Sequence, residues 1–153
     1  LFREKIELIN QLIPDAFIGV DVIVGTNGET EIDFEETVEF IKSLNITQLH
    51  VFSYSERANT QALKINGKVS SKEKKRRSDI LLHLSEEKRI KFYQSQIGKE
   101  LSVLWEESKK GDTMHGFSDN YILVEVPNNH EMVNKITKVI PTQFNNDRSA
   151  LTL

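Results

Sequence analysis

The chain has 153 residues, of which 38% are hydrophobic and 28% charged, with a formal net charge of −3; that length suits one ordinary domain or two small ones. It contains no cysteine, which excludes a disulfide framework, a thiolate zinc site, a cysteine nucleophile and an iron–sulfur cluster held by its own residues. The acidic balance argues against coating nucleic acid by bulk charge, although local patches can still be basic. No run reaches the roughly 18 apolar residues of a bilayer span, and no basic-then-apolar leader is present, so a cytoplasmic protein with no membrane partner is expected.

Residues 1–13 read as a helix, with Phe2, Ile6, Ile9 and Ile13 at spacings of three and four before Pro14 ends it. A chain that opens inside a helical pattern is expected to have sequence upstream of Leu1. Residues 17–24 (FIGVDVIV) are a short apolar run rich in β-branched residues, as in a strand buried on both faces of a parallel sheet. Gly25 to Gly28 supply a turn, and Thr30 with Asp33 has the spacing of a helix cap. A helix is predicted over 31–44, with Phe34, Val38 and Ile41 on its buried stripe and an acid-rich first turn that the helix dipole favours. Residues 49–54 (LHVFSY) then form a second strand, completing a βαβ unit.

Residues 55–69 lack periodicity and form a loop, after which Ser70 and Glu73 repeat the capping spacing and open a long helix to about Gln96. From Gly98 onward the pattern changes to about five short extended segments over 101–106, 114–117, 121–126, 136–144 and 150–153, separated by turn signals. That predicts a small antiparallel barrel, with Trp105 and Phe144 in its core. The expected division is therefore 1–97 and 98–153.

Ligands of α/β sheets and barrels bind at the carboxyl ends of the strands. Two such ends are candidates. Gly25-Thr26-Asn27-Gly28-Glu29 is either a ligand turn or a plain tight turn, and Glu29 is the acid there that a helix dipole does not explain. Ser53-Tyr54-Ser55-Glu56-Arg57 places an Arg on the same rim, suited to a carboxylate or phosphate but equally to a surface ion pair with Glu56 or the acidic helix start. The stretch 68–91 holds nine Lys or Arg against four acids, a phosphate track or simply a solvated helix face. In the terminal segment Lys109, Lys110, Phe117, Asn120 and Tyr121 combine cations, aromatics and an amide, as on small barrels that bind single-stranded RNA. The four histidines are too scattered for a ligand motif.

Taken in order, DVIVGTNGET at 21–30, FEET at 34–37 and HVFSYSER at 50–57 with Thr60 and Ala62 resemble the back half of the radical S-adenosylmethionine domain of methylthiotransferases. GFSDNY at 116–121 resembles part of their C-terminal TRAM domain. The resemblance implies an α/β fold: part of a radical SAM (βα) barrel, made of a βαβ unit and a long helix, followed by a small, OB-like antiparallel β-barrel. It implies an enzyme that adds a methylthio group to tRNA adenosine next to the anticodon, using two 4Fe–4S clusters and S-adenosylmethionine. Ile23, Gly25 and Glu29 would then lie along the adenosyl part of the cofactor, Arg57 on the active-site rim, and the barrel residues named above on tRNA. The segments look most like the branch acting on threonylcarbamoyl-adenosine.

The family's CxxxCxxC motif is absent, so no catalytic residue is expected in this chain, no cluster bound by it, and no activity from it alone. Glu56 and Ala58-Asn59 stand where the family usually has Pro and Pro-Gly. A non-enzymatic RNA-binding module and the family branch that modifies a ribosomal protein are the rival expectations. Two strands alone leave sheet edges unpaired, so association with a second copy or cover by the long helix is also expected.

Overall fold

The computed structural model describes residues 1–108 and 111–153. The chain is mixed α/β and divides into two compact units, Leu1–Arg89 and Ile90–Leu153. The division falls within the longest helix.

In the first unit, α1 (Phe2–Leu12) precedes β1 (Gly19–Val24), α2 (Glu31–Lys42), β2 (Gln48–Ser53) and most of α3 (Ser71–Gln96). β1 and β2 are parallel, pairing Val20 with Leu49, Asp21 with His50 and Ile23 with Phe52. Both helix starts carry the caps that the spacing predicts: the Asp33 amide donates to Thr30 Oγ1 and the Thr30 amide to the Asp33 carboxylate, while the Glu73 amide donates to Ser70 Oγ. Phe34, Val38 and Ile41 of α2 are buried with Val24, Leu49, Leu81 and Leu84 in one core. Each such side chain contributes roughly 1.5–3 kcal/mol.

The strands differ from the expectation of burial on both faces. Val20, Val22 and Val24 turn toward the helices, whereas Gly19, Asp21 and Ile23 are exposed, as are His50 and Phe52 beside them. Helices cover one face only, so the period-2 alternation of a strand leaves the other bare. α1 is likewise held by less apolar surface than its spacing suggests: Ile6 is its one buried residue. Asn10 bonds the Asn45 carbonyl and side chain, and Arg3 bonds Ser43 Oγ, completing the attachment. α3 touches the backbone of β2 directly, because Ser85 Oγ accepts from the Leu49 amide at 2.8 Å and donates to its carbonyl.

The second unit is a six-stranded sheet in the order β6-β3-β4-β5-β8-β7, formed by β3 (Leu101–Trp105), β4 (Thr113–Ser118), β5 (Leu123–Pro127), β6 (Ile136–Val139), β7 (Gln143–Phe144) and β8 (Leu151–Thr152). All neighbours are antiparallel except β5 and β8. The sheet is open rather than the closed, wholly antiparallel barrel expected: among the described residues β6 and β7 are its two ends. The single strand predicted over 136–144 is two, because Pro141 falls between them and has no N–H for a ladder; its carbonyl accepts from Gly98 instead. Trp105 is fully buried, with its indole N–H on Thr137 Oγ1 at 2.7 Å. Phe144 is half-buried and stacks on Tyr93 at 6.3 Å between ring centroids.

Candidate functional site

At the carboxyl end of β1 the chain turns through Gly25 at φ +76° and Gly28 at φ +85°, conformations that favour glycine. The turn is built by Glu29. Its carboxylate accepts from the backbone N–H groups of Gly25 and Thr26 and pairs with Arg77 of α3 at 3.0 Å. Arg77 has a side chain only 5% exposed. It also donates to the Glu29 carbonyl, pairs with Glu31 and Glu73 at 3.2 and 3.0 Å, and lies over the Phe34 ring. Its neighbour Arg76 bonds Glu31 and Glu73 from the solvent side. The acid-rich helix start is therefore one half of an ion cluster that ties α2 to α3.

The hydrogen bond from Arg76, then that from Arg77, holds the Glu73 carboxyl at about 2, below its ordinary 4.5. Since the folded value is depressed, the stabilisation is complete above about pH 4.5 and fades as pH falls toward 2. Asp33 shifts the same way through its hydrogen bond with Thr30. Urea midpoints taken from about pH 5 down to about pH 3 should therefore fall, and fall less in Glu73→Gln than in the unsubstituted chain. Parallel decline in both would remove Glu73 from the account.

The loop after β2 folds across this turn. The Gly28 amide donates to the Gly67 carbonyl at 2.9 Å, and Asn27 Nδ2 to the Ala62 carbonyl at 3.2 Å. Lys74 fills the space behind Gly25, where a Cβ would overlap its Cγ. Its ammonium is fixed by the Tyr54 carbonyl at 2.8 Å and the Tyr54 ring. Ile23 is exposed on the bare sheet face beside Phe52. Arg57 is exposed too, and the ion pair expected at Glu56 is made by Lys68 at 2.9 Å.

In the second unit, Phe117 and Tyr121 lie together on the outer surface, 42% and 67% exposed, with ring centroids 6.4 Å apart. The strand expected from 121 starts later because Tyr121 has φ +60° and belongs to a turn: its amide donates to the Ser118 carbonyl. Asn120 is not displayed as the aromatics are. Its Oδ1 accepts from Ser118 Oγ at 2.7 Å and its Nδ2 donates to Gln96 at 3.1 Å, which braces the turn from inside. Gly116 permits the close pairing of β3 with β4, since a Cβ there would lie 2.6 Å from the Leu104 carbonyl. Lys109 and Lys110 lie outside the described residues.

No family model matches the sequence. A threonylcarbamoyladenosine tRNA methylthiotransferase of Aquifex aeolicus is 37% identical over 139 residues, which are 91% of this chain and 32% of that protein. Its counterpart in Bacillus subtilis is 34% identical over 143 residues, 90% of this chain and 32% of the relative. Over about nine tenths of its own length the chain matches one stretch of these methylthiotransferases. A tRNA-2-methylthio-N(6)-dimethylallyladenosine synthase of Symbiobacterium thermophilum is 35% identical over 133 residues, 86% of this chain and 28% of that protein. The chain thus spans about a third of the length of the curated relatives it matches.

The site residues predicted from sequence fall into two groups. Ile23 and Gly25 share one rim with Glu29, whereas Phe117, Asn120 and Tyr121 share one turn of the second unit. Asn27, Lys74 and Arg77, which build the first site with Glu29, stand out in the sequence only as members of the turn 25–29 and of the basic stretch 68–91. A signal for Arg77 was present: it stands four residues before Leu81 on the buried side of α3, a place where a cation needs an acidic partner.

Proposed function

We propose that this chain is the part of a tRNA methylthiotransferase that combines the end of the radical SAM barrel, in 1–97, with a TRAM-like RNA-binding module, in 98–153. The observation that carries this is the likeness to tRNA-modifying relatives across 91% of the chain, both units included. The substrate is tRNA, at the adenosine next to the anticodon, and the threonylcarbamoyl branch is favoured by the Aquifex and Bacillus relatives. The 35% identical dimethylallyladenosine synthase supports the second branch, with the same division of labour.

An iron–sulfur cluster does not fit the residues here. There is no cysteine, and among the described residues no group of three or more His, Asp or Glu gathers as a metal site. The clusters of the enzyme are held by residues outside these 153, and this chain alone is inactive. S-adenosylmethionine fits better. Ile23, backed by Phe52, offers an apolar surface to an adenine ring, and the Gly25 turn borders it. Arg57 supplies an exposed cation for the carboxylate of the cofactor. Glu29 acts behind the cofactor by holding the turn. When bound, the cofactor supplies the radical chemistry; these residues hold and orient it.

On the RNA side, Phe117 and Tyr121 stack on unpaired bases, with Asn120 fixing their turn and Lys109 and Lys110 contacting phosphates. No helix among the described residues is long and apolar enough to cross a membrane, and the enzyme is cytoplasmic on this reading. Fluorescence anisotropy with a labelled anticodon stem-loop tests it. Phe117→Ala and Tyr121→Ala should each cost about 1–3 kcal/mol of binding, the value of one stacked base. Unchanged binding in both would remove this turn from the interface.

A further inference from the structure

We propose that the cavity between the carboxyl end of β2 and the first turns of α3 binds backbone phosphates of the RNA, a second contact in the first unit. This rests on tRNA being the substrate. The cavity is open, about 640 Å³ in volume. Its walls carry the ammonium groups of Lys68, Lys74 and Lys75 against a single carboxylate, Glu56. Between them stand the hydroxyls of Ser53, Ser55, Ser71 and Ser78, with Ser53 Oγ and Ser78 Oγ 3.1 Å apart. Ammonium and hydroxyl donors around one solvent-filled space match the acceptor oxygens of a phosphate.

Lys74 makes the site more than a scatter of surface lysines. Its stem is packed against Gly25 and its Nζ already donates to the Tyr54 carbonyl, so two of its three donors remain and its position is set before any ligand arrives. The other two lysines are held only by exposed ion pairs, Lys68 with Glu56 and Lys75 with Asp79. Such solvent-exposed pairs are weak and exchange readily for a phosphate. Arg76 and Arg77 are bound into the Glu29, Glu31 and Glu73 cluster, and Lys88 donates to the Leu44 carbonyl, so the charge that α3 gives the cavity comes from Lys74 and Lys75. Ser71, at the start of the 26-residue α3, adds the favourable end of the helix dipole. The cavity's wide mouth suits a phosphate carried on an extended chain.

The test is the salt dependence of anticodon stem-loop binding by the full chain, compared with Lys68→Ala/Lys75→Ala and with Phe117→Ala/Tyr121→Ala. Lys74 is left in place because it supports the Gly25 turn. The lysine variant is expected to flatten the slope of log affinity against log salt by about 1–2 and to weaken low-salt binding about tenfold. The aromatic variant is expected to weaken binding at every salt concentration with little change of slope. An unchanged slope in the lysine variant, while RNA is still bound and still sensitive to the aromatics, overturns the phosphate site and leaves the tRNA reading standing. Failure of the unsubstituted chain to bind the stem-loop overturns both. Amide spectra of Ser71 and Lys72 supply a second readout: they should shift on adding the stem-loop. A shift with inorganic phosphate and none with RNA overturns the assignment to a polynucleotide.

Discussion

Replacing Arg77 with Met should destabilise the first unit by about 3–5 kcal/mol, the cost of leaving buried charge without its partner. The guanidinium is 5% exposed and serves three carboxylates at once, Glu29, Glu31 and Glu73. Without it those groups repel one another across the α2–α3 junction, and the Glu29 carboxylate, 13% exposed, keeps only the two amides of its own turn. Glu29→Gln combined with Arg77→Met should be less damaging than Arg77→Met alone, because it removes the charge while preserving an oxygen for those amides. Urea unfolding followed by helical circular dichroism measures both. A loss below about 1 kcal/mol for Arg77→Met would mean that the cluster behaves as a solvated surface network. The same variant should loosen the Gly25–Glu29 turn, so the stability of the unit and the shape of the proposed cofactor rim fall together.

The second large effect belongs to Trp105. Trp105→Ala should cost the second unit about 3–5 kcal/mol, as expected for emptying a fully buried aromatic site. Trp105 pairs with Gly116 across β3 and β4, and the next pair along is Leu104 with Phe117. The core and the proposed RNA surface are therefore set by adjacent positions of one ladder. Trp105→Phe keeps most of the apolar volume and loses the indole N–H bond to the half-buried Thr137 Oγ1, a net hydrogen bond worth about 0.5–1.5 kcal/mol. Stem-loop affinity should follow the fraction of folded second unit in both variants. Full affinity from an unfolded second unit in Trp105→Ala would place the RNA contact elsewhere.

The parts of the fold legible in the sequence are those governed by local chemistry. Thr30 with Asp33 and Ser70 with Glu73 marked helix starts because the capping groups lie three residues apart on the chain. Phe34, Val38 and Ile41 marked a buried stripe for the same reason. What was hidden depends on partners distant in sequence. Glu29 pairs with Arg77, 48 residues later, a counter-charge that no local spacing announces. The Asn120 side chain meets Ser118 and Gln96, the latter 24 residues earlier in the chain. The β1 and β2 run looked buried on both faces because apolar composition does not record that helices cover only one. The open sheet order of the second unit depends on Pro141 dividing a strand and on β8 joining β5 in parallel, neither of which short-range periodicity encodes.

The most direct test replaces the matching third of the Bacillus subtilis threonylcarbamoyladenosine tRNA methylthiotransferase with this chain, in a host lacking its own copy, and measures modified tRNA nucleosides by mass spectrometry. The account predicts that methylthiolated threonylcarbamoyladenosine reappears and is lost again with Phe117→Ala/Tyr121→Ala. A soluble, folded chimera that leaves the adenosine without its methylthio group would contradict it.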